Sequence, residues 1–282
     1  MTAWTDLLDV DFAVRFVDSG GTRTRALQAG AGEDVIFLHG TSGHLEAFTR
    51  NIAAHAAHFR CHAIDMLGHG FTDGTDGDYE IPGYVDHLVR YMDAAEVERA
   101  HLVGESLGGW VAAWLASERP GRVGRLSLVT AGGTVANPAV MERIKTSTRA
   151  AVEQDDIALT RQRLDLLMFD PATNVTDELV DVRHTIYHRP AFRQHVDHLL
   201  CLQEMDVRQR NLLSPERMGQ IEAETLIVWS RENPFGQLPE AELMRDAIPS
   251  ARLEVFDECG HWPQYEHAER FNDLNIGFLR GG

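Results

Sequence analysis

Ala100-His101-Leu102-Val103-Gly104-Glu105-Ser106-Leu107-Gly108-Gly109-Trp110 is the stretch that decides how this chain folds. Ala100 to Glu105 is a short apolar run of the kind that forms a strand buried on both faces. Leu107 to Ser117 continues in an amphipathic helical pattern. Between them sits Ser106, framed as Gly104-x-Ser106-x-Gly108. Small residues two before and two after a serine let the backbone turn sharply from strand into helix. The turn then presents the hydroxyl, and the helix N-terminus aims N–H groups at developing negative charge. Ser106 is therefore the candidate nucleophile, and the Leu107 amide a candidate oxyanion donor.

Similar runs lie on either side. Asp34–His39, Phe59–Asp65, Arg125–Thr130, Thr225–Trp229 and Arg252–Phe256 read as further buried strands. Asp11–Val17 and Thr22–Gln28 read as an antiparallel pair turning at Ser19-Gly20-Gly21. Leu45–Phe59, Ile81–Ala95, Pro239–Ala247 and Tyr265–Leu279 read as helices between them. The alternation predicts an α/β architecture, a mainly parallel eight-stranded sheet with helices on both faces. It breaks from 138 to 218, where only helical patterns occur: Val140–Glu153, Ile157–Phe169, Thr176–Tyr187 and Ala191–Glu204. That interruption is too long for one crossover. The expected division is a core of residues 1–137 and 219–282, with a helical cap inserted at 138–218.

The chain has 282 residues, of which 44% are hydrophobic, so it can bury a large core and is not expected to be disordered. Its formal charge of −17 repels phosphate backbones and anionic lipid, so nucleic acid and membrane are not expected partners. An anionic substrate would need a local cation. Cys61, Cys201 and Cys259 fit neither a zinc site nor a disulfide framework, which points to reduced thiols and a cytoplasmic setting. Met1–Asp11 lacks the basic segment of a secretory leader. No metal or cofactor is expected. His55 and His58 lack the rest of a metal motif, and Gly68-His69-Gly70 lacks the third glycine of a dinucleotide loop. His55, His58, His62 and His69 read as surface or loop residues. A homodimer is left open.

His261, in Cys259-Gly260-His261-Trp262, follows the last strand, where the general base of a serine nucleophile belongs in the α/β-hydrolase fold. His39-Gly40-Thr41-Ser42-Gly43 follows the first long buried strand and offers Thr41 as the second oxyanion amide. The acid should follow Thr225–Trp229, in Ser230-Arg231-Glu232-Asn233-Pro234-Phe235. An amide at Asn233 can accept from the imidazole but carries no charge for imidazolium, and could favour the wrong tautomer. Deamidation would not restore the acid, because Pro234 lacks the N–H that attacks the side chain. Glu232, Asp257, or an attenuated site with Asn233 itself are the open alternatives.

With these residues in hand, the chain resembles the meta-cleavage product hydrolases. These are α/β-hydrolases that cleave a C–C bond in ring-fission products of aromatic degradation. TLIVWSRENPFGQL is similar to that family's TLxxWGRDDxFVPL, which sets Asn233 on the aspartate position. RLEVFDECGHWPQYEHAERFNDLNIGFL is similar to its C-terminus, with Trp262 beside His261. Arg183 resembles a cap arginine that binds the substrate carboxylate, and a guanidinium suits a carboxylate bidentately. Two departures touch the pocket. Glu105 stands where the family usually has asparagine, and the HGGGPG loop appears as HGTSGH, with Ser42 in it.

The resemblance implies a 2-hydroxy-6-oxo-hexa-2,4-dienoate as the small-molecule carboxylate substrate, with Arg183, Trp262, Glu105 and Ser42 lining its site. A carboxylesterase or lactonase using the same apparatus, or a non-catalytic ligand-binding relative, are the competing expectations.

Overall fold

The computed structural model describes residues 4–282, so the reading of Met1–Asp11 lies partly outside the described residues. Eight strands form one sheet: β1 (Phe12–Asp18), β2 (Arg23–Ala29), β3 (Asp34–Leu38), β4 (Arg60–Ile64), β5 (Ala100–Glu105), β6 (Val123–Val129), β7 (Thr225–Ser230) and β8 (Ala251–Phe256). Their order is β1-β2-β4-β3-β5-β6-β7-β8. The β1–β2 and β2–β4 pairs are antiparallel, and every other pair is parallel. β5 is buried along its whole length between β3 and β6, as its unbroken apolar run requires.

The core helices are α1 (Thr49–Ala56), α2 (Ile81–Ala94) and α3 (Leu107–Glu118). Between β6 and β7 the chain is helical only. It forms α4 (Pro138–Glu153), α5 (Ile157–Asp165), α6 (Pro171–Asn174), α7 (Asp177–Tyr187), α8 (Pro190–Leu200), α9 (Met205–Arg210) and α10 (Pro215–Met218). Side-chain caps start several of them: Asn137, Asp156, Asp170, Thr176 and Ser214 each accept from a first-turn amide. α11 (Leu238–Ala247), α12 (Pro263–Glu266) and α13 (Ala268–Leu279) complete the chain.

Several elements differ from the sequence reading, each for a tertiary reason. α3 is buried on nearly all sides and is not amphipathic, because it is wedged between the sheet and α2. The expected helix 45–59 begins as a 3₁₀ turn, Leu45–Phe48. There Asp65 accepts the Leu45 amide at 2.8 Å, while the Arg25 guanidinium grips both Asp65 and Glu46. The helix expected over 157–169 stops at Asp165, since the Leu167 carbonyl accepts from the His261 amide. Of the four histidines read as surface or loop residues, His58 is exposed and His69 lies buried in a loop; His55 in α1 and His62 in β4 are buried inside elements, which corrects their reading. His55 bridges the Asn51 carbonyl and the Asn275 amide, and His62 meets the Tyr91 hydroxyl. Neutral, hydrogen-bonded imidazoles are tolerated in a core.

Candidate active site

Ser106 sits at the junction of β5 and α3 with φ 52 and ψ −112, in the left-handed half of backbone space. Such strain costs about 1–3 kcal/mol and persists only where neighbours hold it. Here the Ser106 amide donates to Val129 O at 2.9 Å. Its carbonyl accepts from Trp110 and Gly132 at 3.1 and 3.0 Å. The three glycines are needed for contact. A side chain on Gly104 would overlap the Gly108 backbone, one on Gly108 would overlap the Leu38 carbonyl, and one on Gly109 would press on Ala131. The Thr41 and Leu107 amides, the two expected oxyanion donors, have no acceptor among the described residues.

The loop carrying His261 is clamped from three sides. Its amide donates to Leu167 O at 2.5 Å, and its carbonyl accepts from Thr130 Oγ1 at 2.8 Å. Glu266 accepts from the amides of Gly260 and Phe169, tying loop and helical segment together. The imidazole Nδ1–H donates to Asn233 Oδ1 at 2.8 Å. That same oxygen accepts from the Phe235 amide at 3.1 Å. A reversed amide would set N–H against N–H, so Phe235 fixes the oxygen toward the ring. The tautomer is thereby set with the proton on Nδ1 and a lone pair on Nε2, the arrangement a base needs. Burial, reinforced by the Arg163 charge, pushes His261 down to about 3, so the ring is neutral at pH 7.

Neither expected substitute acid reaches His261. Glu232 is exposed and accepts from the Cys259 amide, and Asp257 pairs with Arg231 at the surface. The carboxyl that does reach it is Glu105, with Oε1 3.2 Å from His261 Nε2. Burial pushes Glu105 up to about 8, against the pull of the Gly40 amide and the Arg183 and Arg163 charges. Gly40 has to be glycine, since a Cβ there would lie 2.5 Å from Glu105 Oε2.

Ser106 and His261 line two adjoining lobes of one cavity and share Thr41, Ile144 and Phe235 between them. The first lobe adds Glu105, Arg163, Arg183 and Trp262. Arg183 is 1% exposed, and its Nη1 donates to Ser42 O at 2.8 Å and Tyr187 Oη at 3.2 Å. Its Nε and Nη2, and Nη1 of Arg163, are buried without acceptors among the described residues. Ser42 stands behind Arg183 and accepts from the Tyr187 hydroxyl, so it supports the arginine and does not face the lobe. The second lobe is walled by Trp110, Val135, Val140, Leu202 and Trp229, with Arg208 at its edge.

Sequence reading missed Arg163. Thr160, Arg163, Leu164 and Leu167 recur at helical spacing and are all buried, so the arginine shares a face with core leucines. It also missed Asp155, His184 and His188, whose ligand atoms lie within 4.8 Å of one another on the helical segment. That cluster could hold a cation, but it lines neither lobe. A wider cleft at Asp34, Ala100, Val123 and Glu224 lies at the strands' N-terminal ends, away from Ser106. Parallel sheets bind ligands at the carboxyl ends.

A model of the alpha/beta hydrolase family matches residues 35–274. The chain is 36% identical over 264 residues to 2-hydroxy-6-oxo-6-phenylhexa-2,4-dienoate hydrolase of Burkholderia cepacia, covering 90% of each. It is also 36% identical to 2-hydroxy-6-oxononadienedioate/2-hydroxy-6-oxononatrienedioate hydrolase of Comamonas testosteroni, again over 90% of each. Among solved structures, it superposes with a TM-score of 0.80 on an acetate-bound mutant of the meta-cleavage product hydrolase CumD from Pseudomonas fluorescens IP01. That match has 30% identity and covers 97% of this chain and 98% of the other.

Proposed function

Because the chain belongs to the α/β-hydrolase family, among the meta-cleavage product hydrolases, we propose that it cleaves a C–C bond in a 2-hydroxy-6-oxo-hexa-2,4-dienoate. The observation that carries this substrate class is Arg183. It is a fully buried guanidinium with two unpaired donor groups, facing the lobe that adjoins Ser106. Buried donors without partners are rare, and a planar carboxylate satisfies them bidentately. Arg163 adds a second charge there, and Trp262 a flat wall.

With the carboxylate held on Arg183, the substrate's distal carbonyl reaches Ser106. The dienol first ketonises, with His261 handling the proton. Ser106 Oγ then attacks the carbonyl carbon as its proton passes to His261 Nε2. The carbonyl π pair moves onto oxygen, facing the Thr41 and Leu107 amides. The C–C bond breaks, its electron pair goes to the leaving carbon, and that carbon takes the proton from His261. A 2-hydroxydienoate departs. Water gives a proton to Nε2 as it attacks the acyl-serine; the bond to Ser106 Oγ then breaks as Nε2 returns that proton to Oγ, and the acid is released.

The second lobe takes the acyl-side group. Arg208 Nε donates to Val135 O at 3.0 Å, and the guanidinium lies 5.0 Å from the Trp110 ring centroid with no ion pair within 4.0 Å among the described residues. Burial lowers it to about 10, with Glu240 pulling the other way. This cation favours an acyl group that ends in a carboxylate over a phenyl group. We also propose a cytoplasmic setting, on the strength of three buried, unpaired thiols, Cys61, Cys201 and Cys259.

Mixing the protein with yellow ring-fission products tests the reaction. Loss of visible absorbance, fastest with the diacid, is expected. No bleaching with any side chain, together with rapid turnover of simple aryl esters, would replace this reading with an esterase.

A further inference from the structure

We infer that Glu105 is the catalytic carboxylate of this site, supplying across His261 Nε2 the charge and proton acceptor that the Asn233 amide cannot supply across Nδ1. The inference rests on the reading of Ser106 and His261 as nucleophile and base. Four observations carry it. Asn233, in the acid's place, presents only a neutral oxygen to Nδ1. Glu232 and Asp257 point elsewhere. Glu105 is 1% exposed, and its Oε1 lies 3.2 Å from Nε2. Neither oxygen makes a well-formed hydrogen bond, and the Gly40 amide and the Trp262 indole, which pull its proton affinity down, do not offset its burial.

A buried carboxyl so weakly hydrogen-bonded is costly, and native cores hold few of them. Against an imidazole that alternates between neutral and charged, it has a use. As Ser106 Oγ bonds to the substrate carbon, its proton moves to Nε2, and the imidazolium forms beside the Glu105 carboxylate. The proton then passes to Glu105 Oε1, leaving a neutral ring and a neutral acid. When the acyl intermediate forms and the C–C bond breaks, the proton returns through Nε2 to the leaving carbon. No charge is left over, and the deacylating water repeats the transfer.

The groups that set Glu105's proton affinity face it from every side of the lobe. They are the His261 ring from the loop after β8, and the Arg163 and Arg183 guanidiniums from α5 and α7. From the loop after β3 comes the Gly40 amide, and beside His261 the Trp262 indole; the neighbouring His39 ring is held neutral by burial, pushed down to about 3. With His261 near 3 and Glu105 near 8, the carboxylate is the better proton acceptor once it is ionised, from about pH 8 upward.

The test is the rate at which p-nitrophenyl acetate acylates Ser106, followed as a nitrophenol burst against pH. Three forms are compared: the native protein, Glu105→Gln, and Glu105→Gln with Asn233→Asp. Native acylation should rise with pH through about 8. Glu105→Gln should lose about 100-fold and that pH limb. The double variant moves the carboxylate to Nδ1, so it should recover to within about tenfold, with its limb shifted to lower pH. A Glu105→Gln protein that matches native rate and profile would overturn the inference. So would a double variant no faster than the single one. Should Glu105→Gln fail to fold, a flat native profile between pH 7 and 9 would overturn it alone. Dienoate bleaching in the same proteins separates the two readings. Acylation dependent on Glu105 without bleaching removes the substrate and keeps the carboxylate. Bleaching with acylation indifferent to Glu105 does the reverse.

Discussion

The turn after β5 and the turn after β7 meet across one imidazole, and each holds the opposite of what its place leads one to expect. The β7 turn, where the acid belongs, offers an amide whose single oxygen is shared by His261 Nδ1 and the Phe235 amide. The β5 turn, where the resembled family carries asparagine, offers a carboxyl against Nε2. One turn fixes the tautomer and supplies no charge. The other supplies a carboxyl that becomes charged as pH rises through about 8, and fixes nothing. The comparison teaches that orienting the base and neutralising its cation are separable tasks. Here they are divided between two sides of the ring.

Substitution separates what the two turns contribute. The largest effect falls on what both turns serve. Ser106→Ala should lower kcat for dienoate by about 10⁶, measured by bleaching under saturating substrate. A loss of less than tenfold would leave neither turn a catalytic purpose. Next comes the charge that anchors substrate. Arg183→Gln should cut kcat/KM by about 10²–10³, mostly through KM, as expected for removing a charge-assisted pair worth roughly 3–4 kcal/mol. An unchanged KM would place the carboxylate elsewhere. Arg208→Met should reverse the preference between diacid and phenyl substrates, by roughly tenfold on each side.

Asn233→Asp alone sharpens the contrast further. If Glu105 provides the charge once ionised, this change should raise kcat at pH 9 by no more than about threefold. A gain of 100-fold would mark the native protein as an attenuated triad. The smallest effect is on stability. Glu105 has its proton affinity raised in the fold, to about 8 from an ordinary 4.5. It therefore contributes stability below about pH 4.5 that is lost as pH rises through 8. Glu105→Gln should melt like the native protein near pH 4.5, and at least roughly 2–4 °C higher at pH 9. Equal melting at both values would mean that the carboxyl is not burdened by burial.

How much of this was legible in the sequence depends on the range of the interaction. β5 and the Ser106 turn were readable because the apolar run and the glycines lie within a few residues of the serine. The sheet was readable for the same reason, since its strands are buried on both faces and show as continuous runs. Helix ends were less so. The early stop of α5 is set by Leu167 bonding to His261, a partner far along the chain. The roles of Glu105 and Ser42 were the least legible. As a sequence, Glu105 is one acid among 43 Asp and Glu residues. Only the fold brings its carboxyl to Nε2, and only the fold turns Ser42 behind Arg183. Arg163 could have been found, because it recurs in phase with buried leucines.

The most direct measurement needs no substrate. Infrared difference spectra of the native protein across pH should show a buried protonated carboxyl that titrates near pH 8 and is missing from Glu105→Gln. A native protein with no such band at pH 6, or with one that survives the Glu105→Gln change, would contradict the assignment of the site's proton to the β5 turn.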